Sequence, residues 1–147
     1  MRALLQRVER ARVSVGGEVI GEIGPGLLVF LGAGKGDTED DLDYLVDKTV
    51  HLRIFADEDD KMNLSVKDVD GEILVVSQFT LYGDVSSGRR PSFVGAMNAS
   101  DAERMYDDFV EACRREVRNV ETGRFGQMME VELVNDGPVT IWIDSRE

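Results

Sequence analysis

The sequence is short of the side chains that most enzymes use for acid–base and nucleophilic chemistry. It contains one cysteine, Cys113, and one histidine, His51, among 147 residues. A lone cysteine excludes an internal disulfide and fits a reducing compartment. Catalytic zinc normally takes several histidine or cysteine ligands, so neither a metal nor another cofactor is predicted. A cysteine–histidine or serine–histidine hydrolase is possible only if the fold brings such residues together.

Long apolar runs and a surplus of basic residues are also missing. No segment approaches the ~20 apolar residues that span a bilayer, and the first ten residues carry charges where a signal peptide has its apolar stretch. We therefore expect a cytoplasmic protein without a membrane partner. The 17 basic residues stand against 29 acidic ones, for a net charge of −12. That balance argues against a broad electrostatic grip on DNA but allows a nucleic acid that is contacted locally.

What is present is typical of one globular domain over residues 1–147, with 42% hydrophobic and 31% charged residues. Loosely alternating apolar residues on either side of Gly16-Gly17 predict a β-hairpin. After a second turn at Gly24–Gly26, the wholly apolar segment Leu27–Leu31 predicts a strand buried on both faces.

Two helices are predicted. Thr38 is placed as the N-cap of the first helix, whose apolar residues recur at helical spacing until the helix ends near Ile54. The second helix is expected to open at Ser100, with Glu103 completing a capping box. Residues 83–98 are expected to form a long loop, and such a loop inside a compact domain is more often functional than idle.

The remaining elements are strands. A strand is expected to run from Ile73 towards Leu81, and the end of the chain predicts strands over Met128–Val134 and Val139–Ile143 with a turn at Asn135–Gly137 between them. The count is about six strands and two principal helices. This predicts an α+β fold with a mainly antiparallel, barrel-like sheet.

Two loops that could hold an ion have simpler interpretations. Gly32–Thr38 lies between a strand and a helix, as a phosphate loop would, but Lys35 is followed by Gly36-Asp37 and not by serine or threonine. A strand-to-helix turn is the favoured interpretation. The acidic loop at residues 56–61 lacks the spaced ligands of a calcium-binding loop and is expected to be a solvated charged loop.

Polar side chains begin where the strand from residue 73 leaves the core. Strand alternation would place Ser77 and Phe79 on one face and Gln78 and Thr80 on the other. From the residues alone, a functional site and an ordinary strand end with cross-strand hydroxyl bonds are both open. The segment Asn135–Pro138 is interpreted in the same way as a tight turn between two strands.

Ser77–Tyr82 and Asn135–Thr140 together resemble the two signature segments of the D-aminoacyl-tRNA deacylase family, also called the D-tyrosyl-tRNA deacylase family. They occur in the family's order and near its separation. The likeness extends over essentially the whole chain and includes Met1–Val8, Lys61–Ser65, Arg90–Phe93 and Thr122–Gly126.

The resemblance implies a proofreading enzyme of translation that hydrolyses the ester bond of D-aminoacyl-tRNAs and removes glycine mischarged on tRNA(Ala). It implies a homodimer that binds the aminoacylated 3′ end of tRNA in active sites at the subunit interface. Gly137-Pro138 would be a cis element that projects from one subunit into the other's pocket and rejects L-amino acids. Arg7 would brace this element, and Phe79, Phe125 and Met129 would lie around the pocket.

We expect Ser77, Gln78 and Thr80 to form the catalytic part of the site. Because acid–base side chains are missing, the 2′-OH of the terminal ribose and backbone amides near residues 78–80 are expected to assist the reaction. Thr80 as a nucleophile is an alternative without an evident base. Two other functions stay open, namely a non-catalytic RNA-binding module of similar fold and a small-molecule hydrolase that uses Ser77 or Thr80.

Overall fold

The computed structural model describes residues 1–147 and contains eight β-strands, two α-helices and one short 3₁₀ helix. In chain order the elements are β1 (Arg2–Val15), β2 (Glu18–Ile23), β3 (Gly26–Gly32), α1 (Glu39–His51), β4 (Phe55–Ala56), β5 (Met62–Leu64), β6 (Glu72–Ser77), the 3₁₀ helix (Phe79–Tyr82), α2 (Ala99–Arg114), β7 (Val120–Thr122) and β8 (Glu130–Asp144). Six strands form one sheet, and β4 and β5 form a separate hairpin. The predicted α+β fold with two principal helices is confirmed.

The first two strands form the predicted hairpin. Gly16 and Gly17 both have positive φ angles, 57° and 83°, which is the left-handed conformation that a two-residue turn between twisted strands requires. Strand β1 then serves as the centre of the sheet. One of its edges pairs with β3 and β2 in succession, and β8 pairs with it along nearly its whole length.

The sheet curls into a nearly closed barrel. Strands β3, β6 and β7 continue it as parallel neighbours, whereas the pairings of β1 with β2, β3 and β8 are antiparallel. At the seam, β2 approaches β7 so closely that a Cβ at Gly21 would lie 2.4 Å from the carbonyl oxygen of Thr122. Glycine is therefore required at this position, and the barrel-like, mainly antiparallel sheet agrees with the prediction.

Strand β3 is buried on both faces, as predicted, and each face belongs to a different core. Leu27 and Val29 pack with the apolar residues of α1 and α2 in the larger core. Leu28 points the other way and packs with Val8 and Leu74 in the smaller core. Full burial of each such side chain stabilises the fold by about 1.5–3 kcal/mol. These two cores fix the ends of β3 and β6, where the candidate site lies.

Helix α1 begins as predicted and ends earlier. Thr38 is its N-cap, and the backbone N–H of Thr38 donates to the Asp41 side chain at 2.9 Å. The helix ends at His51 and not near Ile54, because Leu52 adopts an extended backbone with φ −60° and ψ 127°. The chain continues into the short β4–β5 hairpin around the acidic loop, which the sequence did not predict.

Helix α2 corrects the prediction of a cap at Ser100 with Glu103. The N-cap is Asn98, whose side-chain oxygen accepts a hydrogen bond from the backbone N–H of Asp101 at 3.0 Å. Asparagine caps a helix as well as serine does, and it comes first along the chain, so the helix starts at Ala99. The buried side chains of α2 are Tyr106, Phe109, Val110, Ala112 and Cys113. Neither α-helix is long and apolar enough to cross a membrane.

Strand β8 corrects the predicted turn at Asn135–Gly137. Residues on both sides of this segment pair with β1 in the same antiparallel sense, Gln6 with Thr140 and Val8 with Asn135. Between these two pairs β1 advances two residues while β8 runs back five, so the segment bulges out of one long strand. A turn would have reversed the chain. Asp-Gly suits a bulge as well as a turn, so the residues alone do not separate the two.

Candidate active site

The strand that carries the first signature segment ends at Ser77. It does not run on towards Leu81, because Phe79–Tyr82 forms the 3₁₀ helix. The backbone N–H of Gln78 donates to the carbonyl of Leu31 at 2.8 Å, which is the last bond that holds this segment against β3. The chain turns immediately afterwards. The predicted alternation of side chains therefore fails beyond the strand end.

The turn leaves the backbone N–H groups of Phe79 and Thr80 without an acceptor within the 3₁₀ helix. In a 3₁₀ helix each N–H donates to the carbonyl three residues back, so the first residues have no helical partner. The N–H of Leu81 donates to Gln78, and that of Gly83 donates to Thr80, so Phe79 and Thr80 stand before the first helical bond and have no acceptor within the helix. Both residues are exposed, which makes their N–H groups candidates for binding a ligand.

The side chains of Gln78 and Thr80 are joined to each other. The Gln78 amide donates a hydrogen bond to the Thr80 hydroxyl. This bond orients the hydroxyl but supplies no base, because a neutral amide does not take up its proton. The geometry therefore gives Thr80 a fixed hydroxyl without the partner that a nucleophile needs.

A cavity of about 550 Å³ opens beside the 3₁₀ helix, a size within the usual range for small-ligand sites. Its walls are mainly apolar, and five of the predicted site residues contribute to them: Ser77, Gln78, Phe79, Phe125 and Met129. Further lining side chains are Met1, Leu31, Met97, Ala102, Tyr106 and Met128. No histidine, cysteine, aspartate or glutamate lines the cavity.

Sequence reasoning missed Tyr106, which ties α2 to the strand that ends at the site. Its hydroxyl donates to the carbonyl of Val75 in β6 at 2.7 Å, and its ring lies 6.1 Å from that of Phe125. Burial raises the pKa of the Tyr106 hydroxyl, so it stays protonated as a donor. The only sequence signal was its place on the buried face of α2, which any core residue of that helix would share.

The second signature segment lies apart from this cavity within the same chain. Gly137 and Pro138 are joined by a cis peptide bond, are exposed, and do not line the cavity. Arg7 holds the base of the segment: its Nε donates to the carbonyl of Asp136 at 3.0 Å, and one Nη donates to the carbonyl of Ile54 at 2.6 Å. One chain therefore presents a cavity and a braced projection that do not meet.

The histidine and the cysteine take no part in the cavity. His51 is half exposed on α1, with its Nδ1 3.4 Å from a carboxylate oxygen of Asp47. Cys113 is fully buried on α2, and burial raises the pKa of its thiol to about 12. A thiol with that pKa stays protonated at neutral pH and is a poor nucleophile. The fold therefore does not assemble a cysteine–histidine hydrolase from these two residues.

The chain resembles known proteins both in sequence and in structure. The D-Tyr-tRNA(Tyr) deacylase family matches residues 4–144. A D-aminoacyl-tRNA deacylase of Halothermothrix orenii is 58% identical over 147 residues, which cover 100% of this chain and 99% of that protein. A D-aminoacyl-tRNA deacylase of Clostridium acetobutylicum is 53% identical over the same length, again with 100% and 99% covered.

Two solved structures share the fold. One, named c-Myc DNA Unwinding Element Binding Protein, matches with a TM-score of 0.93 at 46% identity, and 98% of each chain is covered. The other, described as a probable eukaryotic D-amino acid tRNA deacylase, has a TM-score of 0.81 at 20% identity over 97% of each chain and shows the fold alone. Since the family match and the relatives both span nearly the whole chain, this protein belongs to the D-aminoacyl-tRNA deacylase family of hydrolases, which act on D-aminoacyl-tRNA.

Proposed function

We propose that ester hydrolysis takes place at the mouth of the cavity, with backbone N–H groups as its main catalytic groups. The observation that carries this proposal is the pair of backbone donors at Phe79 and Thr80 that have no acceptor within the 3₁₀ helix, at the end of a segment, Ser77–Phe79, that lines a cavity without acid–base side chains. Attack of water on an ester carbonyl creates a tetrahedral oxyanion, and fixed N–H donors stabilise it. In other enzymes each such donor contributes about 10²–10³-fold to kcat.

In this proposal the substrate itself helps to activate the water. The ester joins the amino acid to the terminal ribose of tRNA, whose neighbouring 2′-OH lies within reach of the carbonyl. Water adds to the carbonyl carbon, the ester oxygen leaves and takes up a proton, and the 2′-OH assists these transfers. Ser77, Gln78 and Thr80 position the substrate, and the Thr80 hydroxyl does not act as a nucleophile because it has no base.

The amino acid is selected by an element from a second copy of the chain. In this proposal the protein is a homodimer, and Gly137-Pro138 of one subunit enters the cavity of the other. What supports it is the exposed projection braced by Arg7, which stands outside its own cavity. Phe79, Phe125 and Met129 would then face this element from the receiving subunit.

Such a wall selects by the direction of a side chain and not by its identity. A backbone wall at the α-carbon excludes an L side chain sterically and leaves a D side chain free to point towards solvent. Rejection by repulsion gives selectivity across many amino acids. Glycine has no side chain to reject, so glycine mischarged on tRNA(Ala) is also a substrate in this proposal.

The negative net charge of the protein limits its contacts with tRNA to the 3′ end. A net charge of −12 is compatible with a few phosphate contacts at the aminoacylated 3′ end but not with an extended electrostatic footprint. For the same reason we do not propose DNA binding for this chain, although one structural relative is named as a DNA-binding protein. The cytoplasm, where aminoacyl-tRNA enters translation, is the compartment that fits this substrate.

Matched substrates test the selection. D-tyrosyl-tRNA, L-tyrosyl-tRNA and glycyl-tRNA(Ala) are incubated with the purified protein, and release of the amino acid is followed against the rate without enzyme. We expect rapid release of D-tyrosine and glycine and no enzymatic release of L-tyrosine. Equal release of both tyrosines would remove the chiral filter. Binding of D-tyrosyl-tRNA without any release would favour a non-catalytic RNA-binding module.

A modified tRNA tests the role of the substrate hydroxyl. D-Tyrosyl-tRNA that ends in 2′-deoxyadenosine keeps the ester and loses the neighbouring 2′-OH. We expect kcat to fall by at least about 10²-fold, the lower range for loss of a general acid–base group, with little change in KM. Normal cleavage would show that the hydroxyl has no role and that the protein activates water itself.

Mixed dimers test the shared site. One variant carries Phe79→Ala, which alters the cavity, and a second carries Pro138→Ala, which alters the projection. In a mixed dimer one of the two sites combines an unaltered cavity with an unaltered projection. We expect Phe79→Ala alone to be slow and Pro138→Ala alone to lose its discrimination against L-tyrosyl-tRNA, and we expect the mixture to regain one site that is both fast and selective. No gain on mixing, with mixed dimers shown to form by native mass spectrometry, would place the whole site within one chain.

A further inference from the structure

The guanidinium of Arg2 meets the C-terminal end of the 3₁₀ helix. One Nη donates to the carbonyl of Leu81 at 2.8 Å. The Nε donates to the carboxylate of Asp144, the residue directly opposite on β8, at 3.0 Å. The group also lies over two aromatic rings, 4.3 Å from the centroid of Tyr82 and 5.5 Å from that of Trp142. One side chain thus joins the turn to both β1 and β8.

These contacts close a helix end that the backbone leaves open. The last carbonyls of a helix have no partner within it, and a cationic side chain at that end satisfies one of them and opposes the helix dipole. The Asp144 carboxylate is almost fully buried, with 7% of its side chain exposed, so it holds the guanidinium at a fixed position. The turn is therefore fastened at its last residues while its first residues stay free.

Tight packing on the other side of the turn leaves it little room to shift. A Cβ at Gly32 would lie 2.9 Å from the carbonyl of Gln78, and one at Gly34 would lie 2.5 Å from the ring of Tyr82. The ring of Tyr82 is thus held between β3 and the guanidinium of Arg2. A shift of this ring would rotate the short helix and change where the donors of Phe79 and Thr80 point.

We infer that Arg2 is a positioning residue of the deacylase reaction. Through Leu81 and Tyr82 it fixes the direction of the two free backbone donors. The inference rests on the proposed catalytic role of these donors. Arg2 touches no reacting group, since it does not line the cavity. Its planar, forked guanidinium can bind a carboxylate, donate to a carbonyl and stack on a ring at the same time, and lysine cannot reproduce this combination.

The test compares Arg2→Lys and Arg2→Gln with a matched pair elsewhere on the same two strands. Arg12 lies opposite Glu132 of β8 and binds it at 3.1 Å, but it is remote from the turn, so Arg12→Gln removes a similar cross-strand ion pair. Steady-state hydrolysis of D-tyrosyl-tRNA, thermal unfolding and tryptophan emission are measured for each. The chain has one tryptophan, Trp142, so its emission reports directly on the Arg2 contact.

We expect both Arg2 variants to lower kcat by roughly tenfold to a hundredfold, as for a small misplacement of catalytic groups. KM should change less than threefold, and tryptophan emission should shift. Arg12→Gln should change neither kcat nor emission. If Arg2→Gln does not fold, Arg2→Lys and Asp144→Asn, which both keep a polar side chain in place, give the same comparison.

Unchanged kcat in a folded Arg2→Lys protein with altered emission overturns the inference and leaves the proposed function intact. A fall in kcat that only parallels loss of folded protein also overturns it, because Arg2 would then be purely structural. Failure of the proposed function shows itself separately, as a wild-type protein that binds D-tyrosyl-tRNA without releasing D-tyrosine. In that case the emission still tests the contact with Trp142.

Discussion

The ring of Phe93 meets the ring of Phe79 edge-on, with the centroids 5.1 Å apart and the planes at 67°. Phe79 stands at the start of the 3₁₀ helix with 55% of its surface exposed, and Phe93 comes from the long loop that follows. That loop is held in place by backbone bonds: Asp84 and Ser92 exchange two of them, and the N–H of Lys35 donates to Gly95 at 2.9 Å. The loop thus places a second aromatic ring against Phe79, which itself lines the cavity.

Replacing Phe93 should therefore weaken the site without unfolding the protein. An edge-on aromatic pair contributes about 0.5–1.5 kcal/mol, so we expect Phe93→Ala to lower kcat/KM for D-tyrosyl-tRNA by about two- to tenfold. Phe93→Tyr keeps the ring and should be close to wild type. Val94→Ala, at the exposed neighbouring position, controls for a general effect on the loop. An unchanged kcat/KM for Phe93→Ala would mean that Phe79 needs no support from the loop.

The Thr80 hydroxyl should be dispensable for bond cleavage. Thr80→Val keeps the shape and the backbone N–H and removes only the hydroxyl that Gln78 holds. If the N–H is the catalytic group, kcat should fall by less than about tenfold, whereas loss of a nucleophile costs about 10⁴-fold or more. Thr80→Ser, which retains a hydroxyl, serves as the control. A loss of thousands-fold in Thr80→Val that serine restores would make the hydroxyl a reacting group.

Two glycines next to Tyr82 should differ in how well they tolerate replacement by alanine. A Cβ at Gly34 would lie 2.5 Å from the Tyr82 ring, whereas the nearest atom to a Cβ at Gly95 is 3.7 Å away. Overpacking of this kind costs about 1–3 kcal/mol. We expect Gly34→Ala to lower the free energy of unfolding by that amount in urea titrations and to reduce kcat through displacement of the turn. Gly95→Ala should leave both unchanged. Equal stability of the two variants would contradict the close packing at Gly34.

Acid should destabilise the protein through its capping carboxylates. The backbone hydrogen bond from Thr38, followed by the side-chain bond from Ser145, lowers the pKa of Asp41. Bonds from the backbone and side chain of Ser65 lower the pKa of Asp68 in the same way. A carboxyl whose folded pKa lies below its unfolded value stabilises the fold above the unfolded pKa, about 4, and this contribution is lost as the pH falls through the folded pKa.

Thermal unfolding followed from pH 7 to pH 3 checks this. The melting temperature should be nearly flat above about pH 5 and should fall below about pH 4, where unfolded aspartates begin to bind protons. Asp41→Asn removes one of these titrating groups, so its deficit relative to wild type should shrink as the pH is lowered. A deficit that stays constant down to pH 3 would show that Asp41 contributes no charge-dependent stability.

Binding of tRNA should depend only weakly on salt. Each phosphate neutralised on a single strand contributes a slope of about −0.7 to log K against log salt. Contact limited to the 3′ end involves few phosphates, so we expect a slope no steeper than about −3 between 50 and 200 mM salt. Non-hydrolysable aminoacyl-tRNA, measured by fluorescence anisotropy, gives the slope. A slope near that for ten phosphates would require a basic surface that a chain of net charge −12 does not suggest.

Most of the fold was predictable because its signals are local. Gly16-Gly17 marks a hairpin, Leu27–Leu31 marks a strand buried on both faces, and Thr38 marks a helix start. In each case the side chains themselves carry the preference. The prediction failed at the N-cap of α2, where Asn98 and Ser100 are equally good caps and only the path of the incoming loop selects between them.

The sequence indicated part of the cavity wall but not the conformation of the chain there. Ser77, Gln78 and Phe79 do line a cavity, yet the change from strand to 3₁₀ helix carries no side-chain signal, because Phe79 and Leu81 fit a strand pattern equally well. The free donors are backbone groups, which every residue but proline possesses. Only the hydrogen bonds of the folded chain show which of them lack a partner. The projection at Pro138 is hidden in the same way, since a bulge and a turn use the same residues.

The pairing of β1 with β8 has a consequence for how this segment can vary in length. Leu5 and Ile141 face the larger core on one side of the bulge, and Ala11 and Leu133, also odd-numbered, face the smaller core on the other side. Each strand thus switches phase at the bulge. Between the pairs Gln6–Thr140 and Val8–Asn135, β8 uses five residues where β1 uses two. Between Val8–Asn135 and Arg10–Val134, β1 uses two residues where β8 uses one. Strand β8 thus has three extra residues and β1 has one. Because both numbers are odd, paired side chains of the two strands still lie on the same side of the sheet. Adding or removing a single residue in Asn135–Pro138 would place the side chains of one strand on the opposite side of the sheet from those of its partner, so the segment can change in length only by an even number of residues.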